Sequence, residues 1–106
     1  MANGLLGTAD ISAASNTTVY TVPADNFAVI TINMVNRSST NRNIRVALAA
    51  SASPSAAEYI EYDATLIGNG VLERSGIVVD AGKNIVVYAN STDVSCVVYG
   101  LETSTV

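Results

Sequence analysis

The carboxylates of residues 58–76, which read EYIEYDATLIGNGVLERSG, are the first candidates for chemistry. This stretch holds four of the chain's nine acidic residues, and tyrosines lie between three of them. If EYIEYD is a strand, Glu61 and Asp63 share one face about 6 to 7 Å apart, and Glu58 lies on the other. That separation is in the range of a glycosidase pair, but every acidic i, i+2 pair on a strand has it. Solvated or interface carboxylates are therefore favoured over a cation or salt-bridge site, and catalysis comes last.

The side chains that the sequence lacks exclude most catalytic and metal chemistry. There is no histidine, which removes Ser-His-Asp and Cys-His catalysis and nearly all zinc, copper and non-haem iron sites. The glycines of IGNG form a turn rather than a phosphate-binding loop. Tryptophan is absent, and five tyrosines and one phenylalanine supply a sugar-stacking platform poorly. The sequence predicts a protein that is not an enzyme, with no catalytic residue, metal site or cofactor.

The composition constrains the partners. A chain of 106 residues predicts one domain. Hydrophobic residues make up 49% and charged residues only 13%, and interface cores are depleted in charge, so a homo-oligomer is one interpretation. The net charge of −4 and the single lysine, Lys83, disfavour nucleic acid and anionic membranes. No membrane helix or signal peptide is predicted, so synthesis in a cytoplasm is expected.

The hydrophobic periodicity is that of β-strands. In FAVITINMVN the apolar residues alternate, and NIRVALAA follows after the polar turn RSSTNR, which has the length of a hairpin turn. Further strands are predicted at TTVYTV, EYIEYD, VLERSGIVV, NIVVYAN and VSCVVYGLE, separated by Gly/Asn/Asp turns. The sequence therefore predicts an all-β fold, a single antiparallel β-sandwich or barrel of about seven to eight strands over residues 17–106.

The last two predicted strands, NIVVYAN and VSCVVYGLE, are apolar on both faces. An antiparallel strand that faces water on one side alternates apolar and polar residues, so a strand apolar on both faces is covered twice. In a chain of this size the second cover is more easily another subunit than a further layer of the same chain. The pattern favours an oligomer. Within this segment Cys96 is expected to be a small buried side chain.

Residues 1–16 show no strand pattern. They contain Leu5, Leu6 and Ile11 among glycine, alanine and serine. Two interpretations are open: a disordered tail, or an extended N-terminal arm that docks these apolar side chains on a neighbouring subunit.

The chain resembles small β-rich virion proteins of tailed bacteriophages. The likeness rests on VYTVPADNF, VITINMVNRSSTNRNIRVALA and AEYIEYDATLIGNGVLERSGIVVDAGKNIVVYAN. It spans residues 4–102, and the order and spacing of the segments are what is distinctive. The resemblance implies a virion structural protein, foremost a capsid decoration (cement) protein. Such a protein has a β-sandwich-like fold, is often trimeric, and binds the major capsid protein where capsomers meet. A tail, neck, baseplate or fibre component is the alternative, ahead of a carbohydrate-binding module.

Under this interpretation several side chains are candidate contacts by type and position. Tyrosine is favoured in interface cores, which makes Tyr59 and Tyr62 candidates together with Leu66. Leu5, Leu6 and Ile11 are candidates as the contacts of an arm. Arginines at 37, 42 and 45 could pair with acidic groups of a partner or be solvated.

Overall fold

The computed structural model describes residues 3–106. Eight strands follow one another along the chain, and a single 3₁₀ turn precedes the fifth. The bounds are β1 Asn3–Asp10, β2 Thr17–Thr21, β3 Asn26–Asn36, β4 Arg42–Ala49, the 3₁₀ turn Ala56–Glu58, β5 Tyr59–Leu66, β6 Val71–Val79, β7 Asn84–Ala89 and β8 Val94–Ser104. The prediction of an all-β fold of about eight strands is confirmed.

The strands form two four-stranded antiparallel sheets. The first sheet has the order β1-β8-β3-β6 and the second the order β2-β7-β4-β5. The pairs β1·β8, β2·β7, β3·β6 and β4·β5 are nested, as if the chain were folded in half at the β4–β5 connection and then rolled up. This arrangement is the jelly roll, a β-sandwich found in capsid, lectin and cupin domains alike.

The expected hairpin between β3 and β4 is wrong. Strand β3 pairs with β6 and β8, whereas β4 pairs with β5 and β7 in the other sheet. RSSTNR therefore carries the chain from one sheet to the other. Alternation of apolar residues is the same whether two strands are neighbours in a sheet or lie in facing sheets, so the pattern could not distinguish these cases. Within residues 3–106 only the β4–β5 connection stays within a sheet.

Buried asparagine and a close loop contact hold this crossover. The side chain of Asn36 is fully buried; its Nδ2 donates to the carbonyl oxygens of Thr40, Leu66 and Ile67 at 2.8, 3.1 and 3.1 Å. A Cβ added to Gly68 would lie 2.3 Å from the Ser39 carbonyl oxygen, so only glycine fits there. The crossover from β3 to β4 is thus fastened to the crossover from β5 to β6.

The core lies between the two sheets and is made of the inward-facing residues of each strand. Buried members include Ala28, Ile30, Ile32, Met34, Ile44, Val46, Ile85, Val87, Val94, Cys96 and Val98. The alternation predicted for FAVITINMVN is confirmed, since every second residue from Ala28 to Met34 lies in this core. Burial raises the pKa of the Cys96 thiol to about 12, so this cysteine is a packed apolar side chain rather than a nucleophile.

An extended N-terminal arm over residues 1–16 is not supported. From Asn3 to Asp10 the chain is strand β1, paired antiparallel with β8, and Ile11 is a buried core residue. A Cβ at Gly7 would lie 2.2 Å from the Val19 carbonyl oxygen. The small residues of this segment permit close approach to the second sheet, and they hid its strand pattern. Residues 1 and 2 of the proposed arm lie outside the described residues.

The two strands that are apolar on both faces are covered differently. The outward side of β7 is covered by the chain itself, because Val86 is buried with Ala47 and Ala49 in a small second cluster on which Tyr59 packs. The outward side of β8 is open, with Tyr99 38% and Leu101 56% exposed. Of these two strands, only β8 therefore has an outward side that the chain itself leaves exposed.

Candidate functional site

The carboxylates of EYIEYD are separated by a β-bulge. Glu61 pairs with Val46 and Ala64 pairs with Ile44, so two residues of β5, Tyr62 and Asp63, lie opposite the single residue Arg45 of β4. The extra residue adopts a left-handed conformation, with Asp63 at φ 52°. The expectation that Glu61 and Asp63 share one face is wrong, because a bulge breaks the period of two on which it rested.

Asp63 is held by an arginine on the outer face of the second sheet. Arg45 donates to both carboxylate oxygens, from Nε at 2.7 Å and from Nη2 at 3.3 Å. The guanidinium carbon lies 4.2 Å from the centre of the Tyr62 ring and 4.4 Å from that of Tyr88, which are cation–π distances. The hydrogen bond with Asp63 is the main cause that raises the pKa of Arg45. The carboxylate is therefore a structural partner of Arg45.

Glu61 forms a second ion pair that joins the two sheets. Its carboxylate is paired with Arg74 of β6, and its side chain is only 13% exposed. Because β5 and β6 are the edge strands of opposite sheets, this pair closes one side of the sandwich. Two carboxylates committed to two different arginines do not form the facing acid and base that glycoside hydrolysis needs.

Glu58, the third carboxylate of the stretch, organises the β4–β5 connection. It accepts hydrogen bonds from the backbone N–H of Ser55 at 2.8 Å and of Ala50 at 3.0 Å. The bond from Ser55 and then that from Ala50 lower the pKa of Glu58, since both stabilise the charged form. Glu58 therefore fixes residues 50–58, which lie next to the tyrosines of β5.

A shallow pocket of about 440 Å³ lies beside these tyrosines, and Ala56, Tyr59 and Tyr62 line it. The two rings meet edge to face, with centres 4.9 Å apart and planes at 84°. We call it the tyrosine pocket. Tyr59 and Tyr62, predicted from residue type as contact residues, are thus brought together on the outer face of the second sheet.

The other outer face, that of the first sheet, carries a group of exposed apolar side chains. Val29 is the register partner of both Leu101 and Val78, and Leu5 is the partner of Tyr99. Partners in register point to the same side of a sheet. We call this set of five exposed side chains the outer apolar face; the Tyr99 hydroxyl donates to Glu73 at its margin, at 3.3 Å.

The remaining candidates lie elsewhere. Leu6 is partly buried against the core, while Ile11 and Leu66 are core residues of the chain itself. Arg37 forms an ion pair with Asp10 at 2.6 Å, beside a polar pocket of about 280 Å³ at one end of the sandwich. Among residues 3–106 no group of three or more His, Cys, Asp or Glu side chains is placed to hold a metal ion.

The sequence did not predict two side-chain contacts, those of the buried Asn36 and the bond between Tyr20 and Glu102. Asn36 carried a local signal, since an asparagine two residues before a serine is typical of an Asx turn, and its Oδ1 accepts from the Ser38 backbone N–H at 3.0 Å. The hydrogen bond from the Tyr20 hydroxyl to Glu102, at 2.5 Å, joins residues of opposite sheets and had no local signal. Burial, and next the bond to Glu102, raise the pKa of Tyr20.

No protein-family model, no curated protein and no solved structure matches this chain. The described part of the chain contains no helix long and apolar enough to cross a membrane. Function is therefore argued from the two outer faces of the jelly roll and from the chemistry of their side chains.

Proposed function

We propose that the chain is a non-enzymatic virion structural protein of a tailed bacteriophage, a capsid decoration protein that binds the major capsid protein and stabilises the shell. The resemblance of the strand and turn segments to phage virion proteins suggests this class of protein. The outer apolar face is the observation that carries the proposal, because it offers the exposed, charge-poor contact surface that such a protein needs. A jelly roll alone decides no function.

The sheet that carries the outer apolar face is large enough for a protein contact. Its whole outer side, four strands spaced by about 4.8 Å and running for about 35 Å, covers roughly 700 Å², and the outer apolar face is part of this area. A standard interface buries about 800 Å² on each partner. Leu5, Val78 and Leu101 are each more than half exposed, at 65%, 66% and 56%, and burial of apolar area is the main favourable term in association.

Assembly with copies of itself is part of the proposal. A face that packs on its own copy closes as a two-fold dimer, whereas a trimer requires the face to contact a different surface of the neighbour. The trimer implied by the resemblance therefore uses the outer apolar face in a heterologous contact, between subunits or with the shell.

Electron cryo-microscopy of the parent particle tests the location. We expect density with the shape of this jelly roll over the junctions between capsomers. Density on the tail or neck instead would assign the chain to a tail component, and density on neither would overturn the proposal.

Size-exclusion chromatography with light scattering tests the contact surface. We expect an oligomer that Leu101→Lys shifts towards the 10.9 kDa monomer, because a lysine within the face would have to lose its hydration on assembly. Ile67→Lys is the matched control, since Ile67 is also exposed, at 63%, and lies outside the face. A wild-type monomer at micromolar concentration, or equal effects of the two lysines, would exclude this face as the assembly surface.

A further inference from the structure

The outer face of the second sheet gathers aromatic side chains that are scattered along the chain. Tyr59, Tyr62 and Tyr88 are three of the five tyrosines. Arg45 lies between the rings of Tyr62 and Tyr88, and Tyr59 meets Tyr62 edge to face. The aromatic content of the whole chain is low, but three of its five tyrosines lie on this one face.

The tyrosine pocket has the size and lining of a small-molecule site. Its volume of about 440 Å³ lies within the usual range of about 300 to 1,000 Å³. Two perpendicular rings form a corner, so a ring-shaped ligand can stack on one ring and meet the second at its edge. Tyr62 is 59% exposed, which leaves aromatic surface available to such a ligand.

The walls of the pocket are fixed before any ligand binds. Arg45 holds Asp63 through two hydrogen bonds and contacts the Tyr62 ring. Tyr59 packs on the small cluster of Ala47, Ala49 and Val86. Glu58 fastens the connection that carries Ala56 through its bonds to backbone N–H groups. A rigid site avoids the cost of ordering side chains on binding.

The chemistry of the pocket selects a neutral, polyhydroxylated ring. Arg45 and Asp63, beside Tyr62, pair with each other, and the Glu58 carboxylate is held by backbone N–H groups next to Ala56. The chain as a whole is acidic, so an anionic ligand is disfavoured. An aromatic face attracts the weakly positive C–H groups of a pyranose ring. Tyrosine hydroxyls donate and accept hydrogen bonds, and two of the three lining residues are tyrosines.

We propose that the tyrosine pocket binds a neutral saccharide, with a pyranose ring against the exposed aromatic surface of Tyr62 and sugar hydroxyls bonded to the tyrosine hydroxyls. A proline-rich peptide also docks on aromatic side chains, but it needs an extended groove for successive residues, and this pocket is a single depression lined by Ala56, Tyr59 and Tyr62. The proposal goes beyond the virion role and does not depend on it, because the outer faces of the two sheets point in opposite directions.

Titration of the isotope-labelled protein, followed by nuclear magnetic resonance, tests the proposal. The probes are glucose, galactose, mannose, N-acetylglucosamine and short oligomers of each. We expect saturable shift changes confined to residues 45, 56–63 and 88 for at least one probe. Tyr62→Ala should weaken that binding about tenfold, which is about 1.4 kcal/mol, and Tyr62→Leu should do the same because it lacks a ring. Tyr62→Phe should retain most of the affinity.

Ile67→Ala is the matched control, because Ile67 is an exposed side chain that lies outside both the tyrosine pocket and the outer apolar face. It should bind the sugar like the wild type, and unchanged circular dichroism will show that each variant is folded. The proposal fails if no probe shifts these residues at about 10 mM, or if Tyr62→Ala and Ile67→Ala behave alike. It also fails if a proline-rich peptide, and no sugar, shifts the pocket. None of these results bears on the Leu101→Lys experiment.

Discussion

Replacing Asn36 by alanine should strongly destabilise the fold. The Asn36 side chain is fully buried and serves three carbonyl oxygens, of Thr40, Leu66 and Ile67. Its Oδ1 also accepts from the backbone N–H and the hydroxyl of Ser38. One carboxamide therefore fastens both crossovers at this end of the sandwich.

The magnitude follows from what each partner loses. The bond to the Leu66 carbonyl is buried, and a buried acceptor left without a donor costs about 1 to 3 kcal/mol. The bonds to Thr40, Ile67 and Ser38 are only partly buried, so water replaces them in part, and each is worth about 0.5 to 1.5 kcal/mol. We expect a loss of about 3 to 4 kcal/mol, out of a total free energy of unfolding of about 5 to 15 kcal/mol.

Urea unfolding followed by circular dichroism measures this loss. Asn36→Ala should lower the midpoint with an unchanged slope and lower the melting temperature by about 15 °C or more. Asn33→Ala is the control, since Asn33 lies on the same strand and points outwards; it should change stability by less than about 0.5 kcal/mol. If Asn36→Ala costs less than about 1 kcal/mol, the crossovers are not held by this side chain.

Two further perturbations test the docking of β1 and the role of Glu58. Gly7→Ala should lower the free energy of unfolding by about 1 kcal/mol or more, because its Cβ would meet the Val19 carbonyl; stability equal to that of Thr8→Ala would mean that residues 3–10 are a free arm. The depressed pKa of Glu58 means that its charged form adds stability above the unfolded-state pKa, and that this stability is lost as the pH falls through the folded-state pKa. The urea midpoints of wild type and Glu58→Gln should therefore differ at neutral pH and converge in acid, and a constant difference across this range would refute the role.

The strands could be read from the sequence because each has one face in the core. Ile30, Ile32 and Met34 alternate with partly exposed residues, and this period of two is a local property. The pairing of strands could not be read, because RSSTNR and IGNG suit a turn within a sheet as well as a crossing between sheets. The structure shows that both turns cross between the sheets and that the buried Asn36 side chain joins them.

Strand β1 was not predicted from the sequence, for a different reason. Its sequence NGLLGTAD has too few large side chains to show alternation, and Gly7 occupies a place where two backbones approach closely. Hydrophobic periodicity reveals the burial of large residues, so a strand made mostly of small residues shows no such pattern. The same limit applies to Asp63, whose left-handed conformation creates the bulge that moves it away from Glu61.

The sequence could predict some residues of the candidate site, but it could not predict how they are arranged. Tyr59 and Tyr62 were identified by type, but Tyr88 and Arg45 come from other strands and meet them only through the pairing of β4 with β5 and β7. A jelly roll places such pairs from distant segments on one of two opposite outer faces. The outer apolar face and the tyrosine pocket lie on opposite sheets, so burial of the first does not by itself cover the second.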